Sequence, residues 1–300
     1  MDKTEEIKIR RKCKRNKTSL LLLSFYSGIS TISELGVKYY LKEQTKTNTA
    51  IFTKILLLFK ISYLIKPLYG LLIDFIPIFG YKNKVYLYIC FLINLFCWII
   101  FIYQDNINIY IPIICLIFIS ISQSFTSVIT SAIQVEISKL QDKQNTISKG
   151  TSDLMANFFI IKTFGTLIPS YLKGILIEKY SYNIIFYLSS FFSGFILISG
   201  IILDDEKIIR KIKTKKSFPH LIDSKKREII KSRIVNLIQN KNILILFLLI
   251  FILESSPTGS STLFFYETNI LKLNPKKLGL IDFISQISII LLAYFYRYFL

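Results

Sequence analysis

Residues 66–87 read KPLYGLLIDFIPIFGYKNKVYL, and the fold is decided there. The stretch follows a long apolar run, Ile51 to Ile65, turns on Pro67, and carries Gly70 and Asp74 four residues apart. Positions i and i+4 share a helix face, so a neighbouring backbone is expected to approach over Gly70 while Asp74 caps or pairs. Lys82 and Lys84 close the stretch before the next apolar run begins. Lysines beside an apolar run mark the non-translocated side of a membrane. The stretch therefore reads as a tight turn between two membrane-spanning helices that clamps one helix pair to another.

Outward from this turn the chain stays apolar. Its 300 residues are 52% hydrophobic and 15% aromatic, with a mean hydropathy of +0.49. Runs of about twenty apolar residues recur, the length that crosses a ~30 Å hydrocarbon layer. A soluble core cannot absorb so many consecutive apolar residues without polar faces. The expectation is an all-α polytopic membrane protein with spans near 20–40, 50–73, 85–103, 109–135, 153–177, 183–203, 242–266 and 278–298. The division that follows is a basic tail (1–19), a six-helix bundle (20–203), a basic loop (204–241) and the first two spans of an incomplete second bundle (242–300).

A formal charge of +19 would suit nucleic acid, but the cations sit in short connectors between apolar runs. Taken by alternate sides, the connectors hold 25 Lys/Arg on one side against six on the other. The positive-inside bias then puts the amino terminus and the 204–241 loop in the cytosol, and accounts for the charge without nucleic acid. Asn16, in an Asn-Lys-Thr sequon, falls on that cytosolic side and is expected to stay unmodified. A basic loop at 204–241 could also hold anionic lipid headgroups. Cys13, Cys90, Cys97 and Cys115 have no metal-ligand spacing, and His220 stands alone in the basic loop. The sequence holds no phosphate-binding loop and no nucleophile motif, so neither an enzyme, a cofactor nor ATP-driven pumping is indicated.

Ionisable side chains deep in a bilayer are costly unless they face a cavity or a partner. At a rise of about 1.5 Å per residue, Lys162 and Glu254 fall near mid-membrane in spans five and seven. Glu34 falls in the outer part of span one. Lys162 and Glu254 are expected to face a cavity between two halves, where they could pair. Lys66, Lys173 and Glu178 are expected to snorkel to the nearest headgroups. The segment Glu254-Ser-Ser-Pro-Thr-Gly-Ser-Ser breaks span seven with Pro257 and Gly259, and freed backbone at membrane depth points to a substrate-lining segment that includes Ser256.

Several stretches resemble the folate–biopterin transporter family of the major facilitator superfamily. KPLYG…D with its FGY and paired lysines is similar to that family's turn between spans two and three, and GISTISELGVKYYLKE (28–43) to its opening helix. SVITSAIQVE (127–136), the Gly150–Gly174 helix and SSPTGSSTLFFYETNILKLNP (255–275) also resemble family segments. Lys162 stands where the family tends to carry arginine, whereas Ser127 and Ser131 replace its span-four aspartates. The resemblance implies a major-facilitator-like bundle with about eight of twelve spans, and secondary transport of folate, biopterin or related pteridines by alternating access. Lys162, Glu254, Ser256 and Glu34 would bind substrate, while Gly70, Asp74, Lys82, Lys84, Pro257 and Gly259 would gate. The partners implied are a pteridine or folate and the lipid bilayer, with the plasma membrane favoured over an organelle membrane. Two other readings stay open: a transport-incompetent or scaffold-like paralogue, and a transporter of a different small metabolite.

Overall fold

The computed structural model describes residues 3–45, 48–103, 108–142, 149–205, 239–242, 244–245, 248–249, 252 and 259–299. Apolar length dictates helices, and the first six expected spans are all helical. α1 (Lys3–Ile29) and α2 (Ile32–Gln44) are separated by a single turn at Ser30 and Thr31. α3 (Thr49–Leu64) and α4 (Lys66–Phe75) break at Ile65, because Pro67 has no N–H to continue the ladder and suits a helix start. Single helices follow: α5 (Lys84–Ile102), α6 (Tyr110–Asp142), α7 (Lys149–Tyr180) and α8 (Asn183–Ile202). Beyond the basic loop come a short α9 (Ser260–Phe265), a π-helical turn (Tyr266–Ile270) and α10 (Pro275–Phe299).

Six stretches are long and apolar enough to cross a membrane: Arg10–Gln44, Thr49–Asp74, Lys84–Ile102, Tyr110–Leu140, Ala156–Tyr180 and Asn183–Ile202. With no strand among the described residues, the chain is an all-α polytopic membrane helix bundle. α10 covers the eighth expected span, although it is not one of the six, and Lys276, Lys277 and Asp282 lie in its first turns. Most of the seventh expected span, and most of 204–241, lies outside the described residues.

Residues 1–208 and 264–300 form one compact unit and residues 209–263 a second. The first unit has two apolar centres. One gathers Leu23, Leu87, Ile129, Ile133 and Ile196 between α1, α5, α6 and α8, toward the end that carries the Lys82–Lys84 turn. The other packs Tyr40, Phe52, Trp98, Phe101, Phe186 and Phe264 toward the opposite end. Residues 3–19 continue the first span as helix, and Asn16 and Ser19 are fully buried.

Glycine pairs let α7 lie unusually close to two partners. A Cβ on Gly28 of α1 would sit 2.8 Å from the Gly165 Cα and against the Lys162 carbonyl oxygen. A Cβ on Gly279 of α10 would sit 3.0 Å from both the Gly174 Cα and the Ser170 carbonyl oxygen. Apolar side chains gain nothing by leaving lipid tails for one another, so membrane helices adhere where small residues admit backbone contact. α7 is thereby pinned to α1 and to α10.

Candidate functional site

α6 carries an unbroken polar face through the bundle, with hydroxyls recurring from Ser120 to Ser131. Three satisfy themselves on the preceding turn: Thr126 donates to the Ser122 carbonyl at 2.9 Å, Thr130 to that of Thr126 at 2.7 Å, and Ser131 to that of Ser127 at 3.2 Å, whereas Ser120 and Ser122 donate across to the Phe59 and Cys90 carbonyls at 2.6 and 2.9 Å. This back-bonding keeps a polar helix tolerable inside a membrane. Gln123 and Ser127, one turn apart, face the α3–α4 break. The Tyr63 hydroxyl donates to Gln123 Oε1 at 3.3 Å, and Lys66 Nζ donates to Ser127 Oγ at 3.3 Å. The same ammonium lies 4.8 Å from the centroid of the Tyr63 ring. Lys66 is half-buried here rather than extended toward headgroups. Glu34, exposed in the first turn of α2, lies within electrostatic reach of Tyr63. A small cavity beside this cluster is lined by Tyr26, Ser30, Ser33, Trp98 and Gln123.

The turn between α4 and α5 is built as a hairpin-like bend. Tyr81 N–H donates to the Ile78 carbonyl at 3.0 Å, with Phe79 and Gly80 at φ of 51° and 82°. Glycine suits the second of these positions because it lacks the Cβ that penalises positive φ. Asp74 pairs with Lys82 at 2.6 Å, as the i+4 spacing suggested for the acid. The approach over Gly70 is different from expectation. A Cβ there would meet only Val128 Cγ1, at 3.7 Å, which is ordinary side-chain contact. What anchors the turn is Asp205, whose Oδ2 accepts from the Asn83 and Lys84 N–H groups at 2.6 and 3.0 Å and so caps α5. Lys84 Nζ donates to the Ile201 carbonyl at 3.5 Å. The neighbouring Asp204 pairs with Arg15 at 3.3 Å and donates its N–H to Asn16 Oδ1 at 2.9 Å. The acids opening the post-span-six loop thus tie α1, α5 and α8 together.

At the opposite end α7 meets α10. Lys173, expected to snorkel, is buried and pairs with Asp282 at 2.5 Å. Thr166 Oγ1 donates to Gln286 Oε1 at 2.9 Å, and Asn274 Nδ2 donates to Glu178 Oε1 at 3.5 Å. Lys162 lies one turn before Thr166 on this stripe and is exposed. Alongside, Phe264 packs edge-on to Tyr39 and stacks on Phe52, with ring centroids 5.3 and 5.9 Å apart, and Lys38 and Lys42 lie near its ring. Glu254, Ser256 and Pro257 lie outside the described residues, so the expected Lys162–Glu254 pairing does too. Gly259 is exposed in the turn before α9, with open space around it.

The sequence pattern of the BT1 family matches residues 27–300. The chain belongs to the BT1 family. It is 29% identical over 287 residues to folate transporter 1 of Plasmodium falciparum (isolate 3D7), covering 92% of this chain and 52% of that protein. It is 24% identical over 271 residues to the folate-biopterin transporter of Synechocystis sp. (strain ATCC 27184 / PCC 6803 / Kazusa), covering 90% of this chain and 51% of that protein. Identity to folate transporter 2 of Plasmodium falciparum (isolate 3D7) is 27% over 281 residues, covering 93% of this chain and 57% of that protein. The chain spans about half the length of the curated relatives it matches.

The matched stretch of this BT1-family chain contains every candidate substrate-binding and gating residue read from sequence, from Glu34 to Gly259. It leaves out Arg15 and Asn16, the two residues that hold Asp204. Three features of the family member escaped sequence reading. The Lys66–Ser127 contact and the Lys173–Asp282 pair join residues 61 and 109 positions apart, and a lysine's depth alone cannot distinguish pairing from snorkelling. The glycine contacts did carry a signal, since Gly165 and Gly174 are small residues on a helix otherwise rich in bulky ones.

Proposed function

We propose that this chain carries folate, biopterin or a related pteridine, the substrates in the names of its relatives, across a membrane, and that it does so by alternating access. The observation that carries this reading is the set of exposed or half-buried polar groups within the spans: Glu34, Tyr63 and Lys66 beside the serines of α6, and Lys162 on α7. Charged groups at such positions cost several kcal/mol unless a wet cavity or a ligand receives them. Glu34 and Lys162 are substrate-binding residues of the first six spans, and Glu254 and Ser256 are those of the seventh. The α7–α10 contacts and the Phe264 cluster close the end opposite the Lys82 turn, and separating them opens that end. Asp74, Lys82 and Lys84, with Gly70 beside them, form the gate at the basic end, and Pro257 and Gly259 let the seventh span bend. The amino terminus and the basic loop lie in the cytosol, the loop against anionic headgroups, and the membrane is the plasma membrane.

Uptake of labelled folate and biopterin by transport-deficient cells tests this. Wild type is expected to restore uptake, with Lys162→Ala, Glu34→Gln and Glu254→Gln each lowering it at least about tenfold, as loss of a charge-assisted contact does. Undiminished uptake in all three variants removes the site assignment, and no uptake by wild type removes the transport reading.

A further inference from the structure

We propose that Gln286 on α10, its side-chain amide oriented by Thr166 of α7, reads the lactam edge of the substrate's pteridine ring and so separates 4-oxo pteridines from 4-amino ones. The inference rests on the transport reading above and deepens it at the α7 face that carries Lys162. Thr166 is buried, and its hydroxyl donates to the Thr163 carbonyl at 2.7 Å and to Gln286 Oε1 at 2.9 Å. The hydroxyl therefore meets the amide at its oxygen, which leaves the NH2 group as the outward donor. That NH2 group has no hydrogen-bond partner among the described residues, and the side chain is half-buried midway along α10. A polar N–H group at the depth of an expected span is costly unless water or a ligand receives it. The neighbouring polar contact of the same seam, Lys173–Asp282, is an ion pair whose charges already match. The spare donor of the seam stands at Gln286.

A primary amide and the lactam of a 4-oxo pteridine are complementary. The NH2 group donates to the ring carbonyl, while Oε1, with a second lone pair beyond the one Thr166 uses, accepts from the adjacent ring N–H. In a 4-amino pteridine both groups are exchanged: the ring nitrogen becomes an acceptor facing Oε1, and the exocyclic amine becomes a donor facing the NH2 group. A glutamine free to turn over would fit either ring by swapping its ends. Thr166 opposes that, because turning the amide gives up the hydroxyl's bond to Oε1. Lys162 is exposed one turn of α7 before Thr166, so the charged substrate-binding residue and the amide that reads the ring lie along one face.

The test is equilibrium binding of labelled folate to the full chain in lipid nanodiscs, with its 4-amino analogue aminopterin as competitor and uptake in cells run alongside. Wild type is expected to prefer folate at least about tenfold, since a site built for hydrogen bonding penalises mismatched polar groups. Gln286→Glu, whose side chain only accepts, should abolish or reverse that preference. Thr166→Val keeps the shape and removes the hydroxyl, so the amide can turn over and the two ligands should come within about threefold of each other. Thr166→Ser should restore the wild-type preference. If the Thr166–Gln286 bond merely joins α7 to α10, Gln286→Glu and Thr166→Val lower the detergent melting temperature and leave the folate-to-aminopterin ratio unchanged, which overturns the proposal. A wild type without preference overturns it too. Uptake that depends on Lys162, with a ratio indifferent to Gln286, removes this inference alone. A ratio that follows Gln286 without any uptake leaves the subsite standing and removes transport, whereas a wild type that binds neither ligand removes both.

Discussion

The Lys173–Asp282 pair makes an asymmetric prediction. Lys173 is 7% exposed at its side chain and Asp282 is 47% exposed, across 2.5 Å. Removing the lysine charge by Lys173→Met leaves a carboxylate that water can still reach, so the cost is that of one charged contact, about 1–2 kcal/mol. Removing the carboxylate charge by Asp282→Asn strands an ammonium in a buried site, which costs about 3–5 kcal/mol. The pair joins α7 to α10 beside the Gly174–Gly279 contact, so either loss should favour separation of the two helices. A shift of 1–2 kcal/mol is about 5–30-fold in an equilibrium, and 3 kcal/mol exceeds about a hundredfold. The assay uses Ser170→Cys, a buried position on the α7 face that meets Gly279, and a membrane-impermeant maleimide. Labelling from the side opposite the Lys82 turn should quicken modestly in Lys173→Met and strongly in Asp282→Asn. The swap Lys173→Asp with Asp282→Lys should restore most of the protection. Equal labelling in all four proteins, or a larger effect from Lys173→Met than from Asp282→Asn, would refute the reasoning.

Gly28→Ala should lower the detergent melting temperature by the equivalent of about 1–3 kcal/mol, because its Cβ collides with the α7 backbone. Gly70→Ala should be neutral or stabilising by up to about 1 kcal/mol, since its Cβ meets only Val128 and helix propensity improves. Asp205→Ala removes the cap on α5 and should cost about 0.5–2 kcal/mol in the same melt, with Asp205→Asn recovering most of it. The Asp74–Lys82 pair is short but exposed on both sides, at 61% and 42%, so Lys82→Ala should cost no more than about 1 kcal/mol of stability. Added salt should erase that small difference.

The helical character of the first six spans and the turn at 66–87 were legible in one dimension because the bilayer sets a length and penalises unpaired backbone. A run such as Val85 to Phe101 has no other physical outcome. The acid of the opening stretch was also readable, since Asp74 and Lys82 lie eight residues apart around one turn. The partners of Lys66 and Lys173 were not readable. A snorkelling lysine and a paired one have the same local sequence, and they differ only in what another helix brings alongside. Asp205 illustrates the same point. Its role as the α5 cap depends on α8 ending beside Asn83, which no local pattern encodes.

Apolar run length and the distribution of basic connectors by themselves made this chain a multi-pass membrane helix bundle, because lipid leaves a long hydrophobic segment no alternative to a hydrogen-bonded helix. Which helices touch, and therefore which charges are neutralised, was decided only in three dimensions. Gly28 meets Gly165, Gly174 meets Gly279, Lys173 meets Asp282 and Lys66 meets Ser127 because helix crossings are set by small-residue contact and polar pairing over separations that no local pattern encodes.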